Sequence, residues 1–253
     1  MGDAATVTLS DPGALLMSPS VPALESGVHV WAWPLDAPDG VGRRAQSLLD
    51  ETERARAARF VRPHHRDRFA IAHGVLRALL SAYAGGLPTA LHFTAGPGGK
   101  PSLAGSALQF NLSHSAGRAV LAVSRSTVGA DIEHHRERLD PLGLAARYFF
   151  GAERDAIGAA PPDERTATFL RYWVAKEAVL KAQGVGLAFP LDAFAIVFAP
   201  NGRTAHVTSQ EPERLSPAWR VRMMSLGSGW PVAVAAEGEG WAALPCALGR
   251  LSA

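Results

Sequence analysis

A helical pattern between about Thr166 and Gln183 places the strongest constraint on the fold of this 253-residue chain. Gly184 follows it, at the position where glycine commonly ends a helix. At 100° per residue, Glu177 lies in the middle of an arc of apolar side chains. A buried carboxylate is costly without a partner, so the rest of the fold must supply one if this arc is buried. The apolar side chains of the arc are Phe169, Leu170, Trp173, Val174 and Leu180.

The helix alone leaves two interpretations of Glu177 open. It could form an ordinary i,i+4 ion pair with Lys181, or it could belong to a site completed by other parts of the chain. Lysine usage bears on the choice, because only Lys100, Lys176 and Lys181 are lysines among 25 basic residues. A lysine retained where arginine serves nearly every other basic position suggests a need for a compact ammonium group, although chance retention remains an alternative.

Composition excludes several classes of protein. The formal net charge is only +2, so we expect no nucleic-acid partner. A single cysteine, Cys246, rules out an internal disulfide framework and fits a reducing compartment, which favours a cytoplasmic location. Asp3 stands where a signal peptide would carry positive charge, and no apolar run approaches the length of a membrane span, so we expect neither export nor a membrane partner.

The order of helical and strand patterns predicts an α+β fold. We expect residues 1–27 to form a flexible N-terminal tail, followed by subdomains over 28–125 and 126–253. Each half contains one substantial helix and several strands, which indicates two similar subdomains related by pseudo-twofold symmetry, with the active site at their interface. The predicted helices are 43–58, 66–83, 144–150 and 166–183, with another beginning at 153, and the predicted strands are 28–33, 90–93, 108–112, 119–124, 128–133, 194–198, 220–225 and 231–236.

Asp131 and Glu133 are candidate ligands of a hard metal ion. Side chains alternate along a strand, so both carboxylates project to one face while Ile132 packs on the other. Together with Glu177 they would give Mg²⁺ three oxygen ligands and leave positions for water and phosphate. The alternative is an exposed strand end that happens to carry two acids.

Three further stretches carry basic or hydrogen-bonding groups. The loop 94–101 presents Lys100 but lacks the spacing of a nucleotide-binding phosphate loop. Ser113 and His114 lie in a predicted turn and suit donors to an anion better than a hydrolase nucleophile and base. An arginine-rich stretch precedes them, and it is either a solvated helix surface or an anion pocket formed by a subset of its members. Its arginines are Arg54, Arg56, Arg59, Arg62, Arg66, Arg68 and Arg77.

Read together, four motifs in this order resemble the 4′-phosphopantetheinyl transferases of the surfactin-synthetase type. The resemblance covers roughly residues 56–186, about half of the chain. Each motif is weak alone, but four independent motifs in the right order are specific. The motifs are Gly99-Lys100-Pro101, Asn111-Leu112-Ser113-His114-Ser115, Gly129-x-Asp131-x-Glu133 and Trp173-x-x-Lys176-Glu177-x-x-x-Lys181.

The resemblance implies transfer of the phosphopantetheine arm of coenzyme A to a serine of a carrier protein, with release of adenosine 3′,5′-bisphosphate. It implies Mg²⁺, or Mn²⁺ in its place, held by Asp131, Glu133 and Glu177. Glu177 would also act as the base or orient it, and Lys181 would neutralise the leaving phosphate. The implied coenzyme A contacts are Arg56, Arg68, Lys100, Pro101, Ser113, His114, Asp131 and Lys181.

The implied partners are acyl or peptidyl carrier domains of fatty acid, polyketide or nonribosomal peptide synthases, the last two serving secondary metabolism. We expect a monomer, because the internal duplication already completes a two-half site. Two rival functions remain open: a catalytically idle carrier-binding module with the same fold, and a Mg²⁺-dependent phosphodiester hydrolase. The three carboxylates argue against the first, and the lack of a dense Asp/His cluster argues against the second.

Overall fold

The computed structural model describes residues 5–38, 40–135, 139–186 and 189–248. Within these ranges the chain forms seven α-helices and twelve strands, which confirms the predicted α+β class. The helices are α1 (Pro12–Met17), α2 (Val41–Leu48), α3 (Glu51–Ala58), α4 (Pro63–Ala84), α5 (Pro141–Tyr148), α6 (Gly151–Ala159) and α7 (Arg165–Gln183). None of these helices is long and apolar enough to cross a membrane.

Two sheets form the centre of the molecule. The strands are β1 (Ala5–Thr6), β2 (Val28–Pro34), β3 (Phe93–Ala95), β4 (Pro101–Leu103), β5 (Gln109–Ser115), β6 (Arg118–Ser124), β7 (Val128–Ile132), β8 (Phe194–Phe198), β9 (Thr204–Ser209), β10 (Trp219–Ser225), β11 (Pro231–Glu237) and β12 (Ala243–Pro245). The first sheet has the order β12-β2-β6-β5, and the second has the order β7-β11-β10-β9-β8 with β1 added beside β10. Strands β3 and β4 form a separate hairpin.

The two sheets pack face to face, and each carries a long helix on its outer face. Valines and alanines of β2 and β6 meet those of β7 and β11 in a shared apolar core that includes Val30, Val120 and Val234. Helix α4 covers the first sheet, and its Leu79 belongs to the same buried core as Trp31 of β2. Helix α7 covers the second sheet. A helix, two sheets and a helix therefore lie in four layers, and β7 sits where the two halves meet.

The N-terminal segment corrects one expectation. Residues from 5 onward are packed rather than a free tail, because β1 pairs in parallel with β10 and α1 buries Leu15 and Leu16 in the first core. The other end crosses over as well, since β12 pairs in parallel with β2. The two terminal strands therefore belong to the sheets of the opposite halves, and the division near residue 126 remains a proposal.

Several element boundaries differ from the sequence prediction for identifiable reasons. The helix expected over 43–58 is two helices, because Asp50 caps a new one by accepting from the Glu53 amide at 2.8 Å. The strand expected over 90–93 begins at Phe93, and a 3₁₀ turn occupies Pro88–Ala90. Strand β5 runs on to Ser115, so the predicted Ser-His-Ser turn is wrong, and the turn is at Ala116 and Gly117 instead.

Candidate active site

The site is built where helix α7 lies directly on strand β7. Gly129 makes this contact possible, because a Cβ atom there would stand 2.0 Å from the Ala178 carbonyl oxygen and 2.4 Å from the Ala182 amide nitrogen. A side chain at residue 129 would therefore push the helix away. The glycine of the Gly129-x-Asp131-x-Glu133 motif thus sets how close Glu177 and Lys181 come to the strand that carries Asp131.

Asp131 and Lys181 form the central ion pair of the site. The Lys181 Nζ donates to Asp131 Oδ1 at 2.5 Å and to Ser113 Oγ at 3.0 Å. Ser113 Oγ in turn donates to the same carboxylate oxygen at 2.8 Å. Asp131 is only 4% exposed, and burial raises the pKa of its carboxyl more than Lys181 and Ser113 lower it. Three motifs of the chain, on β5, β7 and α7, therefore meet at one carboxylate.

Glu133 repeats this arrangement one step along the strand. Ser115 Oγ donates to Glu133 Oε2 at 2.8 Å, just as Ser113 serves Asp131. Because side chains alternate along β5, Ser113 and Ser115 share the buried face and His114 projects to the other. The structure thus confirms that Asp131 and Glu133 point to the same side, towards serines of the neighbouring strand.

Glu177 does not form the simple helical ion pair that its spacing allows. Among the described residues, Lys181 pairs with Asp131, and Glu177 has no ion-pair partner. Burial raises the pKa of Glu177 to about 7, and the charge of Asp131 adds to this shift. The Glu177 Oε1 and Asp131 Oδ2 atoms are both buried without a hydrogen-bond partner among the described residues.

Unpaired buried oxygens of this kind call for a cationic or hydrogen-bonding ligand, because a buried polar atom without a partner costs about 1–3 kcal/mol. Carboxylate oxygens are the ligands that hard divalent cations prefer. The donor set therefore fits a magnesium ion. In the described parts of the chain no three potential ligand residues already converge as a metal site, so closing the ligand set requires a shift of these side chains.

Lys100 lies beside the C-terminal end of helix α7, next to the turn that carries Lys181. Its Nζ donates to the Ala182 carbonyl at 2.8 Å and to the Val128 carbonyl at 2.9 Å, and burial lowers its pKa to about 8. Gly98 brings the loop this close, since a Cβ there would stand 1.9 Å from the Gly184 carbonyl oxygen. Lys100 thus joins the end of α7 to the start of β7. Contacts of Lys100 and Pro101 with coenzyme A remain predictions.

A cavity of about 270 Å³ brings together three of the residues predicted to bind coenzyme A, namely Arg56, Arg68 and His114. Arg56 lies over the ring of Phe69, with its guanidinium carbon 5.3 Å from the ring centroid. Burial lowers the pKa of His114, and the nearby charges of His73, Lys181 and Arg56 lower it further. Ser113 is absent from the described lining of this cavity, because it faces the carboxylates on the other side of β5.

Arg68 is already engaged at the rim of this cavity. Its Nε and Nη2 atoms donate to the two carboxylate oxygens of Asp36, both at 2.7 Å. The pair is about half exposed, so it orients the guanidinium more than it stabilises the fold. The arginine-rich stretch is therefore divided, with Arg56 and Arg68 at the cavity and the fully buried Arg77 bound to Glu53.

Lys176, the remaining lysine of the motifs, is buried in contacts that hold the fold together. It is fully buried, pairs with Glu153 at 2.9 Å and donates to the carbonyl oxygens of Leu191 and Phe194. It thereby connects α7 to α6 and to the start of β8. The sequence assigned no role to Lys176, and this contact set supplies one.

Sequence analysis missed three contributors to the site. Asn111 accepts a hydrogen bond from the Ala130 amide at 2.9 Å and so connects β5 to β7. Asn111 is part of one of the four motifs, but an asparagine in a strand does not by itself indicate this contact. His73 lines the basic cavity, but it stands alone in the apolar part of α4, two turns beyond His64 and His65, and carries no pattern. Asp36 follows a strand, and only the packed structure places it beside Arg68.

Sequence comparisons relate the chain to known proteins. Residues 127–235 match the family described as the 4′-phosphopantetheinyl transferase superfamily. The chain is 37% identical over 210 residues to the 4′-phosphopantetheinyl transferase HetI of Nostoc sp., covering 80% of this chain and 84% of that protein. It is 27% identical over 177 residues to the 4′-phosphopantetheinyl transferase Sfp of Bacillus subtilis, covering 70% and 77%. The matched region contains Gly129, the carboxylates on β7 and the whole of α7, and the chain belongs to the 4′-phosphopantetheinyl transferase superfamily.

Proposed function

We propose that this protein transfers the 4′-phosphopantetheine arm of coenzyme A to a serine hydroxyl of an apo carrier protein and releases adenosine 3′,5′-bisphosphate. The observation that carries the proposal is the meeting of Asp131, Glu177 and Lys181, with two unpaired carboxylate oxygens, beside a cavity lined with basic groups. Similarity to relatives named 4′-phosphopantetheinyl transferases supports it.

In the proposed reaction the serine oxygen attacks the pyrophosphate phosphorus that carries the pantetheine. A new oxygen–phosphorus bond forms, the bond to the bridging oxygen breaks, and the electron pair leaves with the adenosine bisphosphate. The serine proton passes to Glu177, either directly or through a group that Glu177 orients. A cation bound beside Glu177 would favour its ionised form, and an ionised carboxylate can accept the proton.

Asp131, Glu133 and Glu177 would hold a magnesium ion against the pyrophosphate, where the ion neutralises charge on the phosphate oxygens. Mn²⁺ would serve in its place, since it also prefers oxygen ligands. Lys181 already lies at the carboxylate cluster and would neutralise the leaving phosphate as its charge develops. Little covalent chemistry is required of the protein, so catalysis rests on alignment and charge neutralisation.

The basic cavity would take the adenosine end of coenzyme A. Arg56 and His114 would contact the 3′-phosphate, with Arg68 at the rim, and the rings of Phe60 and Phe69 would pack against the base. Loss of one charge-assisted contact of this kind costs about 1.5–3 kcal/mol, which is at least tenfold in binding.

A larger cavity of about 590 Å³ would take the pantetheine arm. Its lining includes Leu170, which lies two turns before Glu177 on the same face of α7, roughly 10 Å along the helix. It also includes Met223, Met224 and Trp230, which suit the apolar methylene and methyl groups of the arm.

We further propose that the enzyme is of the surfactin-synthetase type, serves carriers of fatty acid, polyketide or nonribosomal peptide synthases, and works as a monomer. Both halves contribute to the carboxylate cluster within one chain, Ser113 from the first and Asp131 from the second. This arrangement supports the monomer, because no second copy is needed to complete the site.

The test is the intact mass of an apo carrier domain after incubation with this protein, coenzyme A and Mg²⁺. The carrier should gain the mass of one phosphopantetheine arm, and a chelator should prevent the gain. Carriers from the three synthase classes, tested in parallel, would define the preferred partner. If no carrier gains mass while coenzyme A still binds, the protein is an idle carrier-binding module instead.

Arg56→Ala provides a second test. Dephospho-coenzyme A should be at least tenfold poorer than coenzyme A in kcat/KM with the unmodified enzyme, and Arg56→Ala should narrow that gap. Arg59→Ala, on the neighbouring exposed position of the same stretch, is the matched control and should preserve the gap. Equal losses for both substrates would instead place Arg56 at the pyrophosphate, on the carrier surface or in the fold.

A further inference from the structure

The basic cavity contains two histidines, His65 and His73, that the proposed reaction has not used. Its described lining carries five basic groups and no carboxylate, which marks it as an anion site. The five are Arg56, His65, Arg68, His73 and His114. Among them, His73 is hydrogen-bonded to the buried carboxylate of Glu53, which is itself bonded to Arg77.

The ring of His73 is fixed by two contacts. Its Nδ1 lies 3.0 Å from Glu53 Oε1, and the ring stacks on Phe69 at a centroid distance of 4.1 Å and an interplanar angle of 27°. The side chain is 23% exposed, so one edge reaches the cavity while the rest is enclosed. A ring held in this way loses little further freedom when a ligand binds.

Glu53 is itself held firmly in its ionised form. Arg77, which is fully buried, donates to Glu53 Oε2 at 2.5 Å, and the Asp50 amide donates to the same oxygen at 3.1 Å. Burial alone would raise the pKa of Glu53, but the hydrogen bonds from His73 and Arg77 outweigh it and hold that pKa below its usual value.

An ionised carboxylate can only accept, so His73 Nδ1 carries the hydrogen of this bond. The other ring nitrogen, Nε2, has no partner among the described residues and remains for a ligand. An anion at Nε2 needs a hydrogen on that nitrogen, so the ring would bind the anion with both nitrogens acting as donors. The row of charges would then run from the positive Arg77 to the negative Glu53, the positive His73 ring and the negative ligand.

We propose that His73 binds the 3′-phosphate of coenzyme A through Nε2–H, with Glu53 as the residue that positions its ring. This inference rests on the proposed function, because it assigns the adenosine 3′-phosphate to the basic cavity. His73, His114 and Arg56 would then contact the phosphate from three different elements, α4, β5 and α3.

Calorimetric titration with two nucleotides tests the assignment without any carrier protein. Adenosine 3′,5′-bisphosphate carries the 3′-phosphate and adenosine 5′-monophosphate lacks it. His73→Gln should weaken binding of the bisphosphate about tenfold and leave binding of the monophosphate within about twofold. His73→Phe keeps the stacking on Phe69, removes both nitrogens and should give the same selective loss.

His64→Gln is the matched control, because it changes an exposed histidine of the same helix outside this cavity and should leave both affinities unchanged. Equal weakening of both nucleotides by the two His73 variants, or no weakening, would overturn the inference. A lower melting temperature with unchanged nucleotide selectivity would assign His73 a purely structural role and also overturn it.

The same experiments separate this inference from the function on which it rests. If the unmodified protein modifies a carrier but binds the two nucleotides equally, the His73 assignment is wrong and the proposed function stands. If it neither modifies a carrier nor binds coenzyme A, the proposed function is wrong and the assignment fails with it. Glu53→Gln should produce a smaller selective loss than the His73 variants, as expected of a residue that acts through the ring.

Discussion

Helix α7 carries two lysine–carboxylate clusters that use the same chemical groups in opposite ways. Lys176 and Lys181 are five residues apart, so their side chains leave the helix about 140° apart. Lys176 meets Glu153 in a fully buried cluster in which three acceptors surround the ammonium group. Glu153 also accepts from the Ile196 and Phe150 amides, so both of its oxygens are satisfied.

The cluster around Lys181 contains carboxylate oxygens that have no hydrogen-bond partner among the described residues. Four buried side-chain atoms in the described residues lack a hydrogen-bond partner, and two of them, Asp131 Oδ2 and Glu177 Oε1, belong to this cluster. A buried carboxylate oxygen without a partner gains more from a ligand than one that is already hydrogen-bonded. We therefore propose that the satisfied cluster serves stability and the unsatisfied one serves binding, although their lysines share one helix and one motif.

The largest expected effect comes from removing the carboxylate at the centre of the unsatisfied cluster. Asp131→Ala should lower carrier modification by at least about ten-thousandfold, because the loss of a metal ligand and of the partner of Lys181 each costs about a hundredfold or more. The melting temperature should stay the same or rise, since a buried carboxylate with a raised pKa is removed. Near-normal rates at limiting Mg²⁺ would contradict the assignment of this cluster to binding.

The satisfied cluster should respond in stability rather than in chemistry. Lys176→Met should lower the free energy of unfolding by about 3–5 kcal/mol, because it leaves Glu153 buried without its counter-ion. The double variant Lys176→Met with Glu153→Gln should recover much of this loss in denaturant titrations. The fraction that remains folded should keep kcat within a few-fold, and a selective loss of kcat with normal stability would show that the two clusters are not separate in role.

The raised pKa of Glu177 should make the stability of the metal-free protein depend on pH. The pKa of Glu177 is raised from 4.5 to about 7, so the folded state binds this proton more tightly than the unfolded chain does. Its contribution should therefore be fully present below about pH 4.5 and lost as the pH rises to about 7, by roughly 1–2 kcal/mol after allowance for partial exposure. Denaturant titrations with a chelator present should show this slope, and Glu177→Gln should remove it.

The smallest effect concerns the serines that support the carboxylates. Ser113→Ala removes hydrogen bonds to Asp131 and Lys181, worth about 1 kcal/mol, so the Mg²⁺ concentration for half-maximal rate should rise about fivefold. Ser115→Ala should have a similar effect through Glu133. Ser102→Ala is the control, because within the described parts of the chain the side chain of that serine bonds to Thr94 alone, on the separate hairpin.

Local patterns predicted the elements that carry the motifs. The α7 helix was expected over 166–183 and spans Arg165–Gln183, with Gly184 in the left-handed conformation as its end requires. Phe169, Leu170, Val174 and Leu180 are buried as the apolar arc indicated. Alternation along β7 correctly placed Asp131 and Glu133 on one face, because a strand repeats every two residues whatever its neighbours are.

Long-range pairing was outside the reach of these patterns. The strands β1 and β12 are two and three residues long, too short to show a period, and each joins a sheet built from the opposite half of the chain. The end of β5 was expected to be a turn because Ser-His-Ser is polar. Its serines are buried only because β7 supplies carboxylates for them to bond.

The sequence by itself determined the class of fold, the helix that carries Glu177 and Lys181, and the strand face shared by Asp131 and Glu133. These follow from periodicity and from residue chemistry, which are local. Only the tertiary structure decided that Lys181 pairs with Asp131 rather than Glu177, that Lys176 is a buried structural tie and that His73 reaches the basic cavity. Each of those outcomes depends on which groups from distant parts of the chain come within hydrogen-bonding distance, and on how much water their packing excludes.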